Sequence, residues 1–75
     1  MPMITVFLND RLGNKTKVIC NSTDTIKLVK MLAAKQLGTR WDRLRLQKWH
    51  NVYNDNLTLE QLEIQDGMSI EMHYM

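Results

Sequence analysis

The first third of the chain carries two apolar patterns of strand type. Met3 to Leu8 is β-branched and apolar, and Lys15 to Cys20 alternates polar with apolar residues. Between them Asn9-Asp10-Arg11-Leu12-Gly13-Asn14 has turn chemistry, so the segment predicts a β-hairpin. Gly13 or Asn14 supplies the positive φ that a tight connection requires. Asn21-Ser22-Thr23-Asp24-Thr25 is then a cluster of helix-start residues, followed by helix formers to Leu37 and by Gly38 as a C-cap. The predicted helix is Thr25 to Leu37. At about 100° per residue Ile26, Val29, Lys30, Ala33 and Leu37 fall on one face, which should meet the sheet. Lys30 should lay its methylenes along the core edge and carry its ammonium to water or a carboxylate.

Period two returns from Arg43, with Leu44 and Leu46 set against Arg43, Arg45 and Gln47, and predicts a third strand running to Lys48-Trp49. Asn54-Asp55-Asn56 is a turn, Thr58 to Leu62 suits a short helical turn, and Asp66-Gly67 breaks the chain before a final strand at Met68 to Tyr74. In that strand Ile70, Met72 and Tyr74 should point one way, Glu71 and His73 the other. The order is hairpin, helix, strand, short strand, helical turn, strand. One helix packed on a mixed sheet is an α+β arrangement.

With 75 residues, 44% hydrophobic and 24% charged, the chain has room for one modest core and none for a deep catalytic cleft. We therefore expect no enzymatic activity. A net charge of +2 is too small to imply nucleic acid or an anionic membrane. Cys20 has no cysteine to pair with, and no signal peptide or membrane-length apolar run is present. These features lead us to expect an intracellular, reducing location. Met1-Pro2-Met3 should lead almost directly into the first strand without a targeting extension. His50, His73 and Cys20 do not make a metal-site spacing, and no cofactor is expected.

Asn9-Asp10-Arg11-Leu12-Gly13, Asp24-Thr25-Ile26, Gly38-Thr39-Arg40-Trp41, Lys48-Trp49, Glu63-Ile64, Asp66-Gly67-Met68 and the closing Tyr74 resemble, in order and spacing, the Hub-type ubiquitin-like proteins, also described as ubiquitin-like protein five. The resemblance covers nearly the whole chain. It implies a β-grasp (ubiquitin-like) fold over residues 1–75, in the nucleus and cytoplasm. It further implies a monomer that binds splicing factors and modulates pre-mRNA splicing without being conjugated. The expected partner is a spliceosomal tri-snRNP protein carrying an arginine-containing helical element. In the family an acidic residue just before the helix pairs with that arginine, and Asp24 is the matching residue. No membrane or nucleic acid is expected among the partners.

Read from its position alone, Asp24 is either a helix-start carboxylate worth about 0.3–1 kcal/mol or an exposed acceptor for a partner's arginine, worth about 1.5–3 kcal/mol. Leu28 and Met31 depart from the family, which usually carries an acidic residue and a lysine there. With Leu32 they lie about 140–240° around the helix from Ile26. Such a patch beside Asp24 is a groove wall for an amphipathic helix, a surface for self-association, or scattered surface leucines. Gln65 stands where relatives carry a histidine linked to contact with a splicing helicase, and is otherwise a polar loop residue. Trp49 reads first as a packing residue and second as a protein contact. The apolar recognition patch of ubiquitin falls here on Gln47, Glu71 and His73.

Two other functions fit some features. A conjugated ubiquitin-like protein would need processing after Tyr74, yet Gly13, Gly38 and Gly67 are all far from the end and no glycine pair closes the chain. A basic RNA-contacting module would use Trp41 and Trp49 with Arg40, Arg43, Arg45 and Lys48, although the alternation of Arg43 and Arg45 with Leu44 and Leu46 suits a strand with one solvated face.

Overall fold

A computed structural model describes residues 3–75; the expectation for Met1-Pro2 lies outside them. The elements are β1 (Met3–Asn9), β2 (Lys15–Asn21), α1 (Ile26–Leu37), a single 3-10 turn (Trp41–Arg43), β3 (Leu44–Lys48), β4 (Asn51–Val52) and β5 (Ser69–Tyr74). The sheet order is β2-β1-β5-β3-β4. β1 and β2 form the expected antiparallel hairpin, and β5 lies parallel to β1 and antiparallel to β3. A mixed five-stranded sheet with one packed helix is the α+β arrangement anticipated from the order of elements and the β-grasp architecture that the resemblance implied.

Alternation sets which side of each strand is buried. Ile4, Val6 and Leu8 of β1, Val18 and Cys20 of β2, Leu44 and Leu46 of β3, and Ile70 and Met72 of β5 face the core, as a period of two requires. Ile26, Val29, Lys30, Ala33 and Ala34 of α1 close over them. The predicted face differs at one end: Ala34 is buried and Leu37 is 38% exposed. Leu37 is the last helical residue before Gly38, which takes the left-handed conformation at φ +70°. Ala34, one turn earlier, is the position that closes against the core.

Other boundaries also shift. The third strand starts at Leu44 because Trp41–Arg43 coils into the 3-10 turn, and it ends at Lys48 because Trp49 turns back at φ +57°. The helical turn at Thr58 closes once, through the Leu62 amide donating to the Thr58 carbonyl at 3.2 Å. It is reinforced by the Gln61 amide donating to Thr58 Oγ1 and by the Thr58 amide donating to Gln61 Oε1. This turn drives Leu59 fully into the core. Tyr74 does not continue the buried row of β5 and is 53% exposed; it pairs with Leu44 at the first residue of β3, beyond which no strand continues the sheet.

The start of α1 is capped twice over. Thr25 Oγ1 accepts from the Leu28 amide at 3.3 Å, as expected of an N-cap. The two preceding helical amides, which no helix can satisfy internally, find distant carbonyls: the Ile26 amide donates to Leu57 and the Lys27 amide to Asp55. The chain between β4 and β5 therefore folds back over the helix start and supplies a tertiary cap.

Candidate functional site

Because Leu57 and Asp55 satisfy the helix amides, Asp24 is not used by the helix. Its Oδ2 accepts from the Asn21 amide at 2.8 Å, closing the turn out of β2, and the residue is half-buried. This corrects the expectation of a carboxylate resting on helix amides. Among the described residues nothing donates to Oδ1, so one carboxylate oxygen is held in place and open to a donor from outside.

Leu28 lies three and four positions before Met31 and Leu32, and Lys35 four and three after them, which puts these residues along one side of α1, with Asp24 in the turn just before the helix. Leu28 is 36% and Met31 45% exposed, while Leu32 is only half-exposed because it packs against the core. Leu32 therefore lies at the boundary between the core and the outer side of α1. The opposite wall is β2, the edge strand of the sheet: Lys17, Val18 and Ile19 line an open cleft together with Leu32, Lys35 and Gln36. Gln36 Nε2 donates to the Lys17 carbonyl at 2.8 Å and ties the two walls together. Ile19, 53% exposed, was not singled out from sequence. Its signal was an isoleucine on the side of β2 otherwise occupied by Lys15 and Lys17.

From this cleft the apolar side of α1 continues through Met31 and Leu28 toward the turn that holds Asp24, while Lys17 and Lys35 lie at the cleft itself. Burial is the first cause that pushes the neighbouring Cys20 thiol up to about 11, with the Asp24 charge adding to it. That thiol is 2% exposed and is a core residue.

The second pair of predicted contacts, Gln65 and Trp49, is not brought into one cleft. Gln65 is an exposed loop residue beside Ile4, Ser22 and Glu60. Trp49 lies by Val52, Tyr53 and Leu57 and is 75% exposed, which overturns the packing role first expected of it. Its backbone has the left-handed conformation, and Gln47 Nε2 donates to its carbonyl at 3.0 Å. Trp41 packs against the core, with Lys27 Nζ 4.9 Å from its ring centre. β3 separates the two tryptophans by roughly 16 Å, so they do not make one stacking platform. Gln47, Glu71 and His73 form a polar outer surface, with Gln47 Nε2 3.4 Å and His73 Nε2 3.6 Å from Glu71 Oε2.

No protein-family model matches the chain. Among characterised proteins it is 53% identical to the ubiquitin-like modifier hub1 of Schizosaccharomyces pombe, over 96% of this chain and 99% of that protein. It is 44% identical to ubiquitin-like protein 5 of Drosophila melanogaster over the same shares of both chains. Identity to the ubiquitin-like modifier HUB1 of Saccharomyces cerevisiae is 37%, over 97% of this chain and all of that one. Likeness of this degree along nearly the full length, together with the β-grasp fold, shows that the chain belongs to the Hub1 and ubiquitin-like protein 5 family.

Proposed function

We propose that this ubiquitin-like modifier works by non-covalent docking: the α1–β2 cleft takes a short helical element of a spliceosomal tri-snRNP protein and thereby modulates pre-mRNA splicing in the nucleus. The observation that carries the reading is the anchored Asp24 carboxylate at the head of the apolar strip Leu28, Met31 and Leu32. An amphipathic helix laid in the cleft buries its apolar side there and brings an arginine to Asp24. The charge polarity orients it, since an acidic residue at its other end meets Lys17 and Lys35. The names of the relatives support a ubiquitin-like modifier, and the resemblance of Asp24-Thr25-Ile26 to the family motif supports the choice of partner.

Calorimetric titration with an arginine-containing helical peptide of this kind tests the reading. Micromolar binding that weakens at least about tenfold in Asp24→Ala, or about 1.4 kcal/mol, is expected, with a similar loss in Leu28→Glu. Absence of binding to the unmodified protein, or equal binding by both variants, overturns it.

A further inference from the structure

β2 forms one edge of the sheet, with β1 as its neighbour on the inner side. Which of its backbone groups face the open side follows from the hairpin turn. The Asp10 amide donates to the Asn14 carbonyl at 3.1 Å, immediately beyond the register pair Asn9 and Lys15. Such a bond flanks a pair whose own amides and carbonyls point away from each other. Counting by two along β2, Lys15, Lys17, Ile19 and Asn21 send N–H and C=O outward. Two side chains meet these groups where the count puts them. The Asn21 amide donates to Asp24 Oδ2 at 2.8 Å, and the Lys17 carbonyl accepts from Gln36 Nε2 at 2.8 Å. The Asn21 carbonyl is also taken, by the Asp24 amide at 3.0 Å.

Asp24 and Gln36 thus close the edge at Asn21 and at the Lys17 carbonyl. Between them the Lys17 amide and both backbone groups of Ile19 have no partner among the described residues. Sheets ordinarily blunt an edge, because unpaired backbone groups in a row are a template for another strand. Here the open stretch coincides with an isoleucine that is 53% exposed. Lys17, Val18 and Ile19 point to alternate faces, so the cleft that they line together is bounded by their shared backbone, with Leu32 and Lys35 on the α1 side. The donors and acceptor of Lys17 and Ile19 match the spacing of an extended backbone, and not that of a helix whose own groups are already paired. Lys15, Lys17 and Lys35 set the charge of the occupant. A second copy of β2 would bring like charges together, whereas a segment with acidic residues complements them.

We propose that β2 accepts a further strand at Ile19: an extended segment of a protein partner, antiparallel to β2. One of its residues exchanges both backbone hydrogen bonds with Ile19, the adjacent apolar side chain lies against Leu32, and the acidic residues that follow lie beside Lys17 and Lys15. This goes beyond the docking of a helix, which uses the side chains of Asp24, Leu28 and Met31 and not the backbone of β2.

The test is an NMR titration of the full-length isotope-labelled chain with a short peptide of three β-branched apolar residues followed by glutamates. The expected result is amide shifts centred on Lys17, Val18 and Ile19, with hydrogen exchange of the Ile19 amide slowed at least about tenfold in the complex. N-methylated at one apolar position at a time, the peptide should lose affinity at least about tenfold where its N–H meets the Ile19 carbonyl and less than about threefold at the neighbouring positions. Glutamine in place of the glutamates should weaken binding by about two- to fivefold. Asp24→Ala should not weaken it, which separates this proposal from the docking of a helix. Absence of binding, similar losses at all three N-methylated positions, an Ile19 amide that still exchanges at its free rate, or equal affinity for the glutamine peptide overturns the proposal. So do shifts at Ile19 that depend on protein concentration without peptide, which would make a second copy the occupant.

Discussion

The Lys30 ammonium, on a helical residue only 6% exposed, is paired with the Asp55 carboxylate twenty-five positions later in the chain. The same Asp55 gives its carbonyl to the Lys27 amide, so one loop residue fixes both a buried charge and a helix start. Removing one partner of such a pair costs more than the pair contributes, because the other charge is left desolvated. Asp55→Ala should therefore lower the unfolding free energy by about 1.5–3 kcal/mol, below the range for fully buried pairs because Asp55 keeps 37% side-chain exposure. Lys30→Met should cost less, about 0.5–1.5 kcal/mol, because the Asp55 carboxylate it leaves unpaired keeps 37% side-chain exposure. Urea denaturation of both variants checks the contrast.

Cys20 makes stability sensitive to alkali. In the unfolded chain its thiol ionises near pH 8.5, whereas burial first, and the Asp24 charge second, pushes it up to about 11 in the fold. Between these values the folded state binds more protons than the unfolded one, so unfolding free energy falls as pH rises. We expect a loss of about 1–3 kcal/mol from pH 8 to 11 that is reduced in Cys20→Val. Burial shifts Tyr53 in the same direction, so the difference between the two proteins, followed by urea midpoint against pH, isolates the thiol.

Trp49 holds a left-handed backbone, φ +57°, in the two-residue connection between the paired Lys48 and Asn51. That conformation costs a residue with a side chain about 1–2 kcal/mol. At 75% exposure the indole recovers little of this by packing. Trp49→Gly should raise stability by about 0.5–1 kcal/mol, the gain being reduced by the greater freedom of glycine in the unfolded chain. A rise in the urea midpoint with an unchanged slope is the expected outcome.

The walls of the α1–β2 cleft should separate binding from folding. Met31→Ala should change stability by less than about 0.5 kcal/mol, as for exposed sites. Leu32→Ala, half-buried against the core, should cost about 1–2 kcal/mol, below the range for full burial. Both should weaken the helical peptide by calorimetry. A stability loss at Met31 equal to that at Leu32 would show that the cleft closes over both residues.

Local pattern was enough for much of this molecule. Alternation placed Leu44 and Leu46 of β3, and Ile70 and Met72 of β5, on one side of their strands, and Thr25 and Gly38 marked the helix ends, because caps and pleats depend on neighbours a few positions apart. The family motif pointed to Asp24, and helical spacing placed Leu28 and Met31 on the outer side of α1. What the pattern could not reveal depends on contacts between distant segments. Leu57 and Asp55 cap the helix and so leave Asp24 available; β2 lies beside α1 and makes Leu32 part of a cleft wall; and β3 beside β5 sets Arg45 against His73. Trp49 was misjudged for the same reason: an indole is buried when another element covers it, and the fold places none over that turn. Sequence by itself determined the elements and their inward faces, through backbone propensity and apolar spacing. The tertiary structure alone decided which polar groups are satisfied from afar and which remain to meet a partner.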